Sequence, residues 1–260
     1  MKFSVIAVIT TLLLAGCIAQ PSPQPQLQPM RLACPDGGAA QLSAGIAAYN
    51  SRDLQAAFRN LRTSADCGNQ DAQVNLGYIY ARGEVGGQPN QQEALHLYKL
   101  SAAQGNGEGM NAIGYKYQFG TGVAPDIGTA VRWYCKAVAK GNGRALNNLA
   151  ILYDHGIGVP QNSDAARDLW RQAGEHGHSN GFFNLGLSYI QGPGKLDPKQ
   201  GEQFLIQAAR AGNMPAQVAL RRSGYKEPLP PSVDESRAMV IQPVNPSPGH
   251  APVCDGALIS

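Results

Sequence analysis

The side chains able to do chemistry in this 260-residue chain are few and scattered. Its five histidines are His96, His155, His176, His178 and His250. His176 and His178 bracket a glycine, and no Cys or carboxylate stands at the spacing that would complete a zinc site around them. A cation near a helix C-terminus accounts better for His176. Asp154-His155 could form half of an acid–base pair, yet it falls where a helix is expected to end. No Gly-x-Ser-x-Gly, His-Glu-x₂-His or phosphate-loop sequence occurs. The Gly-Thr-Gly-Val and Gly-Ile-Gly-Val stretches lack the Lys-Ser/Thr that would follow in a phosphate cradle. Catalysis, a metal, a cofactor and a small-molecule substrate are therefore not expected. A scattered net charge of +3 likewise gives no ground for nucleic acid binding. What remains is a set of five cysteines, Cys17, Cys34, Cys67, Cys135 and Cys254.

The elements that hold these residues recur. Small residues equivalent to one another fall at Gly77, Gly114, Ala150 and Gly186, giving steps of 37, 36 and 36 residues. Gly-Asn or Gly-His pairs close each unit at Gly68, Gly105, Gly141, Gly177 and Gly212. A fixed period in this range denotes stacked supersecondary units. Within each unit a first helix carries small–x₃–Leu–Gly–x₂–Tyr, as in Ala72, Leu76, Gly77 and Tyr80, which places these residues on one stripe. Tyr80, Tyr117, Tyr153 and Tyr189 are assigned to the core. Small residues on the stripe imply close approach of a neighbouring backbone. A Gly-rich turn follows, then a second helix with an Ala–x₂–aromatic/Leu face, such as Ala130 with Trp133 and Tyr134.

These motifs resemble the Sel-one-like repeat family, relatives of the tetratricopeptide repeats. The residues carrying the resemblance are Ala72/Leu76/Gly77/Tyr80, the turns Gly120–Val123 and Gly156–Val159, Trp133 and the closing Gly-Asn pairs, over roughly residues 42–223. Ala150 and the turn beginning at Gly192 depart from the pattern. The resemblance implies an all-α, right-handed α-solenoid of helix-turn-helix repeats of about 36 residues, used as a protein-binding scaffold. It further implies that first helices line the concave side.

The chain then divides as follows. Residues 1–16 form a leader: Lys2, an apolar run and small residues, too short to span a membrane. Leu14-Ala15-Gly16-Cys17 matches the lipobox of bacterial lipoproteins, which implies cleavage before Cys17 and its acylation; an ordinary secretory signal is the alternative. Ile18 leans towards the outer membrane. Residues 17–41 read as a Pro/Gln-rich tether of about 3.1 Å per extended residue. Residues 42–225 form the solenoid, with a degenerate first repeat and a short capping helix at Pro215–Ser223. Residues 226–260 are a Pro-rich tail.

With Cys17 lipidated, four cysteines remain in an exported chain, and three pairings are possible. Register against the repeats puts Cys67 in the slot of Gln104, Lys140 and His176, and Cys135 in that of Lys99 and Arg171. Both are solvent-type slots, so Cys34–Cys67 and Cys135–Cys254 are the favoured pairs, the first pinning the arriving chain to the first repeat and the second clipping the tail to the third, the degenerate repeat being counted as the first.

Residues flanking the packed stripe of the first helices vary: Asn75, Tyr78 and Arg82; Tyr115 and Phe119; Asn148, Ile151 and His155; Asn184, Leu187 and Gln191. Amides and rings together suit an extended peptide or a partner helix. The alternative for Asn75, Asn148 and Asn184 is that they serve the neighbouring repeat's own backbone. The expectation is an envelope scaffold, lipid-anchored and periplasm-facing, that binds envelope or periplasmic proteins. A secreted host-interacting effector is the rival, and an enzyme of cell-wall or β-lactam chemistry the weakest reading.

Overall fold

The computed structural model describes residues 34–192, 197–226, 228–229 and 254. The leader, Cys17, most of the tether, and nearly all of the Pro-rich tail lie outside these residues. Among the described residues there are eleven α-helices and no strand. They are α1 (Ala39–Asn50), α2 (Leu54–Asp66), α3 (Gln70–Arg82), α4 (Gln91–Ala103), α5 (Gly107–Phe119) and α6 (Ile127–Val138). The series continues with α7 (Gly143–His155), α8 (Ser163–Glu175), α9 (Ser179–Gln191), α10 (Pro198–Arg210) and α11 (Met214–Arg222). Successive pairs form hairpins, each packs on the next, and α11 closes the row against α10. First helices of successive repeats also touch directly, α5 with α7 and α7 with α9. That places them on the inner side of the stack.

The repeated sequence acts first through its helix ends. Gly68, Gly105, Gly141, Gly177 and Gly212 all adopt positive φ, between 70° and 91°, just past a second helix. This left-handed step, which lacks a Cβ clash only in glycine, turns the chain into the next repeat. The residue after it caps the following helix. Asn69, Asn106, Asn142 and Asn213 each accept a backbone N–H through the carboxamide oxygen. Asn90, Asp126, Asn162 and Asp197 do the same for the second helices. Each such cap contributes about 1 kcal/mol. The turn inside the repeat is also closed identically: the N–H groups of Asn90, Asp126 and Asn162 donate to the carbonyls of Tyr80, Tyr117 and Tyr153 at 2.8, 2.8 and 2.9 Å. Gly83, Gly120 and Gly156 end their first helices in the left-handed conformation, whereas Gly192 is extended, so the last turn departs here in backbone as well as in sequence.

The small-residue stripe faces something other than expected. A Cβ on Gly77 would lie 2.5 Å from the Tyr98 ring, and one on Gly114 2.7 Å from the Tyr134 ring. At Gly186 the Gly201 carbonyl oxygen and the Leu205 side chain would both be 2.9 Å away, but at Gly77 and Gly114 the glycine makes room for an aromatic ring of its own repeat. Tyr98 and Tyr134 are consequently among the largest fully buried side chains. Of the stripe tyrosines, Tyr153 is buried, while Tyr80, Tyr117 and Tyr189 are half-buried and pack on the core edge.

Two boundaries and one burial assignment change. Helix α1 starts at Ala39, inside the segment assigned to the tether, because Asp36 accepts from the N–H groups of Gly38 and Ala40 and Ser64 Oγ donates to the Gly38 carbonyl. Cys34–Cys67 holds the same corner, closing a separation of 33 residues. The cap helix begins at Met214 rather than Pro215. Cys135–Cys254 closes a separation of 119 residues. Such crosslinks contribute about 2–4 kcal/mol each by restricting the unfolded chain. Cys135 does not occupy a solvent-type environment: it is 5% exposed and belongs to the core cluster, with Cys254 packed against that cluster. Cys67 is half-buried.

Gly114→Ala should lower stability by about 1–3 kcal/mol in urea unfolding, because the new methyl enters the Tyr134 ring. Gly128→Ala, in α6, meets nothing nearer than 3.5 Å and should raise stability by up to about 1 kcal/mol. Equal effects at the two sites would refute the ring-pocket account.

Candidate functional site

Three layers of side chains build the inner face. The deepest is a set of bonds from the cap residues back to the preceding repeat. Asn106 Nδ2 donates to Asp71 Oδ1 at 2.7 Å, Asn142 Nδ2 to Glu108 Oε2 at 2.8 Å, and Asn213 Nδ2 to Asn180 Oδ1 at 2.7 Å. One carboxamide thus caps its own helix through oxygen and ties two repeats through nitrogen. His178 occupies the equivalent position in α9 and makes no side-chain cap. Burial, and then the positive charge of Arg144, pull its imidazole down to about 4, with Glu108 opposing. It is therefore neutral at physiological pH.

Glu108 is the hub of the second layer. Its carboxylate accepts from Tyr78 Oη at 2.5 Å, from Asn111 Nδ2 at 3.3 Å and from the Asn142 amide. The Arg144 guanidinium approaches it to 4.0 Å. A ladder continues from here: Asn148 Nδ2 donates to Asn111 Oδ1 at 3.0 Å and Asn184 Nδ2 to Asn147 Oδ1 at 2.8 Å. These bonds correct the assignment of Asn148 and Asn184 as binding groups. Their amides serve the neighbouring repeat, through its side chains rather than its backbone.

Asn75 is corrected too, for a different reason. It is fully buried at 0% exposure, and neither Nδ2 nor Oδ1 has a partner. In register, the position that supplies Asn111 and Asn147 to the ladder is Leu42 in the first repeat, so the rung below Asn75 is apolar. Tyr78 is half-buried and committed to Glu108; burial and that carboxylate raise its hydroxyl well above the usual tyrosine range. Arg82 is tied to Tyr49 Oη at 3.2 Å and to Glu84 at 3.4 Å.

The third layer is accessible. Tyr115 is 50% exposed and Phe119 56% exposed, with ring centroids 4.5 Å apart. His155 is exposed, and Ile151 and Leu187 are half-buried and packed on the core. Beside the aromatic pair opens a cavity of about 480 Å³. Its walls come from α3, α4, α5, α7 and the start of α9, and include Tyr98, Asn111, Lys116, Thr121, Arg144 and Asn147. Sequence reasoning proposed none of these six as a site residue. Register held one clue: Lys116 stands where other repeats have Ile79 and Leu152, both buried. No group of three or more metal-ligating side chains exists among the described residues, and no described helix is long and apolar enough to cross a membrane.

Comparison with known proteins bears on this arrangement. A sequence model of the Sel1 repeat matches residues 51–69, 70–106, 107–142, 143–178 and 183–213. The structure is similar to a Sel1 repeat protein from Oxalobacter formigenes, at 30% identity and TM-score 0.58, covering 78% of this chain and 79% of that one. It is also similar to a Sel1 repeat protein from Klebsiella pneumoniae, at 17% identity and TM-score 0.52, covering 72% and 93%. An immunity protein from Pseudomonas aeruginosa aligns at 18% identity and TM-score 0.55, covering 84% and 80%, and shares the fold. No curated protein is matched.

The network makes two predictions. Asn75→Ala should stabilise the fold by about 1 kcal/mol, since it removes two unpartnered polar atoms, whereas Asn148→Ala should cost about as much by orphaning Asn111 Oδ1. Urea titrations of the two variants read the difference directly. For His178, the folded chain holds the proton less tightly than the unfolded chain, for which the ordinary value is 6.5. Its contribution is complete above that pH and is lost as the pH falls towards about 4. His178→Asn restores the cap used elsewhere and should flatten this part of the stability–pH curve; an unchanged curve would refute the buried neutral imidazole.

Proposed function

Because the chain belongs to the Sel1 repeat family, whose members generally serve as non-enzymatic protein-interaction scaffolds, we propose that it is an envelope scaffold that captures partner proteins along the inner face of its first helices. The observation that carries this reading is the Tyr115–Phe119 pair, two large rings at 50% and 56% exposure lying against each other beside a cavity. Aromatic side chains supply much contact area for little lost freedom and dominate binding hot spots. His155, Ile151 and Leu187 extend the same surface across α7 and α9.

The anchoring part of the proposal rests on sequence. Leu14–Cys17 supplies the lipobox-like stretch, and an acylated Cys17 would hold the chain at a membrane, the outer one by the lean of Ile18. The two disulfides support an exported chain, since such bonds persist in oxidising compartments.

Replacing Tyr115 and Phe119 together by Ser should abolish partner recovery in cross-linked pull-downs from intact envelopes, with a melting temperature close to wild type. Recovery at wild-type levels would remove the inner face from the proposal. Cys17→Ser, run alongside, should release the protein from the membrane fraction. If the variant and the parent are both found in the medium, the secreted-effector reading takes its place.

A further inference from the structure

Lys116 is a cation in a core position. It is only 4% exposed, and the equivalent positions of the flanking repeats hold Ile79 and Leu152 at 1% and 0%. Burying an ammonium is costly unless a countercharge accompanies it. Among the described residues, none of the ion pairs involves Lys116. Its nitrogen donates to the neutral Gln91 Oε1 and lies 5.9 Å from the centre of the Tyr98 ring. Gln91 is itself held in place, its own amide donating to the Ala81 carbonyl at 2.8 Å.

A second observation points to the same place. Thr121 Oγ1 is buried and has no hydrogen-bond partner, and Thr121 and Lys116 line the same cavity. No Asp or Glu is among the described lining residues, and Glu108, which is bonded to Tyr78 and Asn111 of that lining, already accepts from them and from Asn142. Arg82 and Arg144 add positive charge around the same space, each with an acid already beside it. The cavity therefore carries one cation without a matching anion and one hydroxyl without an acceptor.

We infer that this cavity is a carboxylate-binding subsite: Lys116, with the Thr121 hydroxyl as donor, receives an acidic group of the partner's polypeptide while Tyr115 and Phe119 hold the adjoining residues. The inference rests on the scaffold reading and gives its partner a chemistry, an extended peptide segment bearing a carboxylate. A buried lysine is a strong point charge for such a group and is little screened by salt. Burial alone lowers the Lys116 ammonium, and a bound carboxylate would oppose that shift.

The test uses the intact disulfide-bonded protein and an array of short peptides, each carrying one Glu or its Gln isostere and ending in a free or an amidated carboxyl. Wild type should prefer the acid in at least one arm, by about tenfold or more; the Glu/Gln arm reports a side chain and the other a chain end. Lys116→Leu, which installs the residue of the next repeat, should erase that preference while leaving the melting temperature unchanged or raised. Thr121→Val should weaken acid binding several-fold without loss of stability. No acid preference in either arm, or a preference intact in Lys116→Leu, overturns the subsite. If the Tyr115/Phe119 variant still loses its partner in that case, the scaffold reading stands and only the carboxylate assignment falls.

Discussion

The contact on which the hairpins depend is the fit of a large side chain of the second helix into a gap left by a glycine on the first. Gly77 receives Tyr98, Gly114 receives Tyr134, and Gly45 receives Leu61 in the first repeat, with added Cβ atoms at 2.5, 2.7 and 2.7 Å. Glycine inside a helix costs about 1 kcal/mol relative to Ala. Burying a tyrosine ring recovers more than that, since large side chains contribute roughly 1.5–3 kcal/mol on burial. The hairpin is fixed by this exchange, and every later feature inherits its spacing.

Stacking one hairpin on the next uses a different device. The asparagine after each left-handed glycine has its oxygen on its own helix and its nitrogen on the previous repeat, so capping and stacking are a single act. Where His178 replaces it, the cap bond is absent and Arg144 takes the position that Asp71, Glu108 and Asn180 hold beneath the other caps. The Asn111–Asn148 and Asn147–Asn184 bonds add a second tie of the same kind. These polar ties spend most of the amides on the inner face internally. What is left outward is aromatic, the Tyr115–Phe119 pair, while the cationic Lys116 lies buried in the cavity wall. On the scaffold reading proposed above, rings and charge are what this face offers a partner.

Much of the fold was legible because its determinants are local and repeat. Glycine at a left-handed step, Asn or Asp at a cap and Leu on a stripe act within a few residues, so period and pattern disclose them. The paired cysteines were legible for a related reason: register exposes a residue out of keeping with its slot. The same comparison would have exposed Lys116, which sits among Ile79, Leu152 and Ser188. The candidate site was less legible. Asn75, Asn148 and Asn184 look alike in sequence, yet one is buried without a partner and two are rungs of a ladder. The residue in the facing register position is more than thirty positions earlier, Leu42 for the first and Asn111 or Asn147, the bonded partners, for the others.

By itself, then, the sequence determined the repeat, the helix pairs, their caps and turns, and the absence of a recognisable catalytic motif, all consequences of short-range stereochemistry. The tertiary structure alone decided which polar residues face one another and which face solvent. It buried Cys135 in the core cluster against which Cys254, 119 residues away, is packed. It sent Tyr78 to Glu108, left Tyr115 outward from the same register position, and enclosed Lys116 and Thr121 around one cavity. Such outcomes depend on distances across repeats, where the identity of the opposing side chain, and not the residue's own type, sets whether a polar group is satisfied.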